Sequence, residues 1–421
     1  MKATLTDQQI KTWYRAVLII FFASGLLTAS WLTRLHDISH GLHLSPGPMG
    51  MLLLAQTVGS FSAVSMSGYL VSKFGARTCI LGSYILATAG AALVGLAVSI
   101  ASVPLAAFSL MIMGLGIAVS NVASNVQGVA VERALGRFVT PIMHGFFSIG
   151  TVVGAAIGTA DTFLGVPFGV HMLYMAVLII ALVLYSLRHC HSENYGQDST
   201  AMMAQVTSYR VKDAWRDKHT ILIGIFVLGM ALAEGSANDW IALALTREYE
   251  TTATVGSLGY FTFVAAMTTG RLLGTRFLNA HGRISVLRVT CSLAIIGLII
   301  FIFAPNTALG FVGLVVWGLG ASLGFPTGMS AASDDPVKAA VRVSVVSTIG
   351  YAAFLGGPPL LGMLGEAFGI RHGLLAVLIF VVSSLMLTRY LEVFKNDKPV
   401  HTESLGPDPA TAVPQEQPNQ P

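Results

Sequence analysis

The sequence predicts an all-helical membrane protein with twelve transmembrane helices arranged as two six-helix repeats. Hydrophobic residues make up 54% of the 421 residues, charged residues make up 10%, and the mean hydropathy is +0.72. A soluble globular domain is about 25% charged, so this composition excludes that class. Twelve apolar runs follow one another, each long enough to cross the roughly 30 Å hydrocarbon core of a bilayer. Short motifs also recur about 200 residues apart, which indicates an internal duplication.

The predicted spans alternate with polar loops along the whole chain. They begin near Ala16, Met49, Thr78, Pro104, Pro141, Phe168, Thr220, Val255, Ser285, Ala308, Ala340 and Ile370. An even number of spans places both termini on the same side of the membrane. Of the 24 lysines and arginines, 21 fall on that side, and the exceptions are Arg34, Arg247 and Arg371. Because cytoplasmic loops carry the excess of basic residues, we predict a multi-pass protein of the cell inner membrane with cytoplasmic termini.

The repeat divides the chain into two halves. The matched motifs are Gly50 and Gly68 with Gly256 and Gly274, Met113-Gly-Leu-Gly116 with Trp317-Gly-Leu-Gly320, and Phe168-Gly-Val-His171 with Phe368-Gly-Ile-Arg-His372. We predict an N-terminal six-helix half over residues 1–195, a cytoplasmic linker over 196–214, a C-terminal half over 215–395 and a disordered cytoplasmic tail over 396–421. Many secondary transporters are built from two such halves, with a substrate site between them near the bilayer midplane.

Span seven contains the least expected residues of the chain. Glu234 and Asp239 lie in an apolar run, and Asn238 shares the helical face of Glu234. A charged side chain at the bilayer centre costs about 2.5 to 3.5 kcal/mol on insertion scales, so an acid there faces protein or a water-filled cavity. We predict that Glu234, with Asp239 as the second candidate, couples transport to protons. The alternatives are that Glu234 ties two helices together and that Asp239 lies in headgroup water.

Further polar and aromatic residues fall in spans one, two, four, ten and eleven. Asn121 and Asn125 share one face of span four, and their amides suit hydrogen bonds either to substrate hydroxyls or to a neighbouring helix. The predicted substrate-binding residues are Trp31, Gln56, Asn121, Asn125, Asn238, Trp317 and Tyr351. Helix packing is the alternative role for Gln56.

Charged residues at the ends of the spans are candidates for gates. Glu132 and Arg133 suggest an ion pair at the cytoplasmic end of span four, and Arg34, His36 and Asp37 suggest a similar group at the outer end of span one. The full set of predicted gating residues is Arg34, Asp37, Lys73, Arg77, Glu132 and Arg133.

Several motifs resemble those of a known family. The loop from Gly68 to Arg77 resembles the signature loop of the major facilitator superfamily, although Ser72 stands where that family has an acid. Longer motifs resemble the YbjJ-type inner-membrane proteins, a branch near the fucose permeases: Ala29–Arg34, Ala233–Trp240, Trp317–Pro326 and Gly356–Gly362. The resemblance implies a secondary transporter that moves a small polar solute, for example a sugar, by alternating access with proton coupling. Relatives of this kind often have acids in span four, whereas the corresponding stretch of this chain, Ser120–Gln127, has amides and no acid.

Other functional classes lack the residues they need. No phosphate-cradling glycine-rich loop is present, so energy has to come from a gradient. No nucleophile and base, and no Cys or His pair, has the spacing of a catalytic or metal site, so we expect neither an enzyme nor a cofactor nor a bound metal. We expect as partners a small-molecule substrate, protons and the lipid bilayer, but not nucleic acid, and we expect a monomer. Efflux of a metabolite or drug by proton antiport is the alternative function.

Overall fold

The computed structural model describes residues 5–137, 139–192, 211–335 and 338–391, and within these ranges the chain forms helices and no strands. The first half contains α1 (Asp7–Leu32), α2 (Leu35–Gly41), α3 (Pro46–Phe74), α4 (Ala76–Ser99), α5 (Val103–Leu135), α6 (Thr140–Phe163) and α7 (Phe168–Leu187). The predicted all-helical class is therefore confirmed.

The second half repeats this order with small interruptions. Its helices are α8 (Val211–Arg216), α9 (Lys218–Arg247), α10 (Ala253–His281), α11 (Arg283–Phe303), α12 (Thr307–Ala321), α13 (Gly324–Ala332), α14 (Ala339–Phe368), α15 (Ile370–Gly373) and α16 (Leu375–Leu387), followed by a 3-10 turn at Thr388–Tyr390. The predicted tail (396–421) and most of the predicted linker (196–214) lie outside the described residues.

Local sequence signals explain where the helices start and stop. A capping box begins α1, because the Thr6 hydroxyl accepts from the Gln9 amide and the Gln9 side chain accepts from the Thr6 amide. The junctions between α3 and α4 and between α10 and α11 are each a single glycine, Gly75 and Gly282, with φ of 79° and 76°. Only glycine adopts such angles readily. Because the two glycines occupy equivalent places in the two halves, they also support the internal repeat.

The packing of the helices repeats from one half to the other. In the first half α1 packs against α6 and α7, and α5 packs against α3 and α4. In the second half α9 packs against α14 and α16, and α12 packs against α10 and α11. The same neighbours therefore recur, which agrees with the predicted pair of six-helix repeats.

Most of the long helices are apolar enough to cross a membrane. Among the described residues ten spans meet that condition outright, and α3 makes an eleventh if its two parts, which meet at a 53° bend after Val64, form one span. The remaining long helix, α10, has 29 residues and carries Arg271 and Arg276. Together these segments agree with the twelve spans predicted from the sequence.

The two halves meet along two helix pairs. Helix α3 packs against α14, and α6 packs against α10. We call the end of the bundle that holds α2 the α2 end, and the opposite end, where α1 begins and α16 finishes, the terminal end. The described chain starts and stops near the terminal end, as an even number of spans requires.

Candidate substrate cavity and gates

A cavity of about 510 Å³ lies between the two halves. Its walls come from α1, α3 and α5 of the first half and from α9 and α14 of the second half. Aromatic rings of Trp31, Phe61, Tyr351 and Phe354 line it together with serine and threonine hydroxyls. Pockets for small-molecule ligands have volumes of roughly 300 to 1,000 Å³. The cavity therefore has room for a small-molecule solute.

Most of the predicted substrate-binding residues line this cavity. Trp31, Gln56, Asn238 and Tyr351 are part of its wall. The Trp31 side chain is 4% exposed, and its indole Nε1 has no hydrogen-bond partner among the described residues. A buried N–H group without a partner costs stability. The Trp31 indole is therefore a free hydrogen-bond donor that a bound solute could satisfy.

Asn121 and Asn125 lie on α5 beyond the cavity, toward the terminal end. They follow Ile117, which lines the cavity, at intervals of four residues and so continue its helical face. The Asn125 side-chain amide donates to the Asn121 side-chain oxygen at 2.8 Å. The two amides therefore bond to each other next to the cavity, and Asn121 is exposed.

Trp317 does not line the cavity, which corrects the placement expected from the sequence. It is fully buried within the second half, where its ring packs edge-on against Phe263 at a centroid distance of 5.3 Å and also contacts Phe301. Its counterpart in the first half, Met113, is also fully buried. The physical reason is that α12 packs against both α10 and α11, and the Trp317 ring fills the space between these helices.

Glu234, the first candidate for proton coupling, is paired with an arginine. Both of its carboxylate oxygens accept from Arg271 Nη2 on α10, each at 2.9 Å. Arg271 Nε also donates to the Ser322 carbonyl at 3.2 Å. The pair thus links α9 to α10 and to the break between α12 and α13, as the helix-tying alternative anticipated. Sequence reasoning missed Arg271 because it counted this arginine with the loop charges, although an arginine inside a span is itself a signal.

Asp239 lies at the wall of the cavity with no such partner. It is partly buried and makes no hydrogen bond or ion pair within the described part of the chain. Among the described lining residues it is the one side chain with a formal charge at neutral pH. It lies eight residues before Arg247, or about 12 Å along the helix from the α2 end. This position is protein-lined and does not match the headgroup-water alternative.

The outer-end gating candidates bond within the first half. Arg34 Nε pairs with Asp37 at 2.6 Å, and its Nη2 donates to the Val166 carbonyl at 2.9 Å. All three residues belong to the first half. Arg34 and Asp37 therefore brace α1, α2 and the α6–α7 connection and do not join the two halves.

Three of the gating candidates at the terminal end, Lys73, Arg77 and Glu132, contact their own half. Arg77 donates to the Leu187 carbonyl at 2.8 Å, and the Lys73 ammonium lies 5.6 Å from the Tyr69 ring centre. The Glu132 carboxylate accepts from the backbone amides of Val139 and Thr140 at 2.7 and 2.6 Å, so it caps the start of α6. The sequence did not predict this capping role.

Other residues join the halves at the α2 end. Arg247 of α9 donates to the Ser39 hydroxyl at 2.5 Å and to the Leu44 carbonyl. The Ser257 hydroxyl of α10 donates to the Thr33 carbonyl at 2.9 Å. We call Arg247, Ser257 and their three partners the α2-end latch. No sequence pattern marks it, because its partners lie more than 200 residues apart.

Further contacts strengthen the same seam. The Gly47 amide donates to the Glu366 carboxylate at 3.0 Å, and the His36 imidazole lies 3.2 Å from the Thr246 hydroxyl. Gly50 faces Gly362 so closely that a Cβ at residue 50 would lie 3.0 Å from the Gly362 Cα and would overlap the Pro358 carbonyl. Glycine is therefore required for this approach of α3 to α14.

The cavity opens toward the terminal end. Along α14, Ser344, Thr348 and Tyr351 line it and are exposed, and Val64 of α3 lines it with 45% of its surface exposed. Val64 lies 14 residues, or about 21 Å, along α3 from the close contact at Gly50. The halves are therefore joined at the α2 end, and on the side of α3 and α14 they are apart toward the terminal end.

Comparison with known proteins identifies the family. The sequence profile of the Major Facilitator Superfamily matches residues 16–358. The chain belongs to this superfamily. It is 31% identical over 373 residues to an uncharacterised MFS-type transporter of Yersinia pestis, covering 87% of this chain and 93% of that protein.

Solved structures share the fold at low sequence identity. A mutant of the nucleoside transporter NupG superimposes with a TM-score of 0.73 at 16% identity, covering 91% of this chain and all of that one. A mutant of the E. coli fucose:proton symporter FucP gives 0.61 at 16% identity, covering 90% and 98%. The family is one of membrane transporters of small molecules, so this chain is a multi-pass membrane transporter and not an enzyme.

Proposed function

We propose that this protein is a secondary active transporter that carries a small polar solute through the central cavity by alternating access. The observation that carries the proposal is the cavity itself, which lies between the two repeats, is closed by the α2-end latch and is open at the other end. Rocking of residues 1–195 against residues 215–395 would break the latch and expose the cavity on the opposite side.

The chemistry of the wall supports a neutral or cationic solute with several hydroxyl groups. Asp239 contributes a negative charge, and no described lining residue is basic. An anion would meet the carboxylate without a compensating charge, which costs free energy in a site of low dielectric constant. Trp31 supplies a hydrogen-bond donor, Gln56 and Asn238 supply donors and acceptors, and the aromatic rings offer stacking surfaces. Sugars and nucleosides match this pattern, and the similar folds of FucP and NupG belong to transporters of these classes.

Proton coupling is assigned to Asp239 in preference to Glu234. Arg271 already neutralises Glu234, so protonating that acid would cost an ion pair. Asp239 has no ion pair to lose, and adding a proton to it removes the cost of keeping an unpaired carboxylate in an apolar span. It also faces the solute directly, so a bound solute can sense its protonation state.

The orientation follows from the distribution of charge. We propose that the terminal end faces the cytoplasm of a cell whose inner membrane holds the protein. With Arg271 left out because it lies inside α10, 20 of the 24 basic residues still fall on that side. The conformation would then be open to the inside. A reporter fused after Leu391, or placed within residues 193–208, should give a cytoplasmic signal, and a periplasmic signal would contradict the orientation. We further propose a monomer, since each chain contains both walls of its own cavity.

Uptake into proteoliposomes tests the function. Purified protein is reconstituted with an imposed pH gradient of either sign and offered a panel of labelled hexoses, nucleosides, amino sugars and small acids. We expect accumulation of a neutral or cationic polar solute driven by an inward proton gradient. Accumulation driven only by an outward proton gradient would indicate antiport and efflux instead. Transport restricted to anions would contradict the reasoning from the cavity charge.

A further inference from the structure

A second cavity of about 480 Å³ lies entirely within the second half, away from the substrate cavity. Its walls come from α10, α11 and the α12–α13 segment, and none comes from the other half. Apolar side chains dominate the walls, among them Leu273, Phe277, Val286, Val289 and Leu319. Phe277 and Val289 are 54% and 60% exposed, so the cavity is a groove open on the outer surface of the helices.

The groove has the length of one leaflet of a bilayer. On α10 it runs from His281, at the terminal end, to Gly270, which is 11 residues deeper. At 1.5 Å per residue this is about 16 Å, and half of a hydrocarbon core of roughly 30 Å is about 15 Å. An acyl chain that enters beside the helix end would therefore fill the groove down to the middle of the membrane.

Positive charge lies on the two helices that form the groove. The stretch from Arg271 to Arg288 contains four arginines and no acid. Arg271 is paired with Glu234 and Arg283 with Asp334. The other two, Arg276 and Arg288, are exposed and form no ion pair or hydrogen bond within the ranges that the structure describes.

These two arginines are adjacent in sequence to lining residues, one on each of the two helices. Arg276 precedes the lining residue Phe277, and Arg288 precedes the lining residue Val289. Ser285 lies at the mouth as a further hydrogen-bonding group. Basic clusters between transmembrane helices at the cytoplasmic side suit anionic lipid headgroups.

We propose that this groove is a binding site for one anionic phospholipid, with an acyl chain along the groove and the headgroup phosphate between Arg276 and Arg288. The site is independent of the transported solute. A bound lipid would fill the space between α10 and α11 and so support the outer side of the helix that holds Arg271.

Lipid retention measures the site directly. Protein purified in detergent is stripped of lipid, exposed to equal amounts of phosphatidylglycerol and phosphatidylcholine with the same acyl chains, and analysed by native mass spectrometry. We expect one phosphatidylglycerol to be retained per chain. The double variant Arg276→Gln/Arg288→Gln should bind it about thirtyfold more weakly, since each arginine near a membrane surface contributes about fivefold.

Two further variants separate a built site from general attraction. Arg137→Gln/Arg188→Gln removes two exposed arginines at the same end of the first half and should leave retention unchanged. Ser285→Phe places a ring in the mouth of the groove and should lower lipid retention while both arginines are intact. This variant tests the proposal independently if Arg276→Gln/Arg288→Gln does not fold. Equal retention of the two lipids, or an equal loss in the control pair, would overturn the proposal.

Discussion

Removing the Arg247 side chain should open the α2 end of the transporter. Arg247 donates two hydrogen bonds across the seam, to the Ser39 hydroxyl and to the Leu44 carbonyl. Because this side chain is exposed, we assign each bond about 1 kcal/mol, in the range for an intramolecular hydrogen bond in water. Arg247→Ala should therefore shift the ratio of closed to open α2 ends by about 2 kcal/mol, which is about thirtyfold.

Distance measurements between spin labels report this shift. Phe163 and Phe368 end α6 and α14 at the α2 end, belong to different halves and are 76% and 67% exposed, so cysteines there accept labels without disturbing the core. The three native cysteines are buried and are replaced by alanine. Arg247→Ala should add a population at longer distance by double electron–electron resonance.

The matched control is Arg371→Ala at the same end. Arg371 donates to the carbonyls of Ile302 and Ala304 in its own half and makes no cross-half bond among the described residues. It should therefore leave the distance distribution as it is in the parent protein. An unchanged distribution in Arg247→Ala, or an equal change in Arg371→Ala, would refute the assignment of the latch.

Three further predictions follow from single contacts. Glu234→Gln should lower the free energy of unfolding by about 2 kcal/mol, because it leaves Arg271 unpaired in a partly buried site. In thermal unfolding, the double variant Glu234→Gln/Arg271→Gln should recover much of this loss. Purely additive losses from the two substitutions would contradict a coupled pair. Gly50→Ala should favour the state that is open at the α2 end, since a Cβ would overlap the Pro358 carbonyl. The same spin labels should then show a longer distance, and an unchanged distance would contradict the close packing of α3 against α14. Partial burial alone would raise the pKa of Asp217, but the Thr220 hydroxyl and Arg342 outweigh it, and the pKa is lowered from 3.8. The resulting contribution to stability is present above pH 3.8 and is lost as the pH falls through the lower pKa of the folded state. Asp217→Asn should therefore flatten the thermal stability curve between about pH 5 and pH 2, and an unaltered curve would count against the Asp217–Arg342 pair.

The architecture was accessible from the sequence because it depends on composition and periodicity. Apolar runs fix the number of spans, and the recurrence of motifs such as Met113–Gly116 and Trp317–Gly320 fixes the repeat. The position of Trp31 at the cavity also follows from the sequence, because polar and aromatic residues fall in the first and fourth spans of each half, and Tyr351 is expected at the edge of the same space.

The roles of the two acids were not accessible in the same way. Glu234 and Asp239 are five residues apart on one helix, and their difference arises from Arg271 on another helix. The α2-end latch could not be predicted from the sequence either, because Arg247 and Ser39 are 208 residues apart and neither residue is unusual at its position. Pairings across helices depend on rotation and depth, which a hydropathy pattern leaves open.

Proton-driven accumulation by an Asp239→Asn variant tests the central claim most directly. The variant is reconstituted in proteoliposomes, and uptake of the identified solute is measured with an inward proton gradient and, separately, as exchange with no gradient. We predict that accumulation is abolished while exchange persists, because asparagine keeps the shape of the neutral acid but cannot release a proton. Undiminished accumulation by this variant would contradict the account.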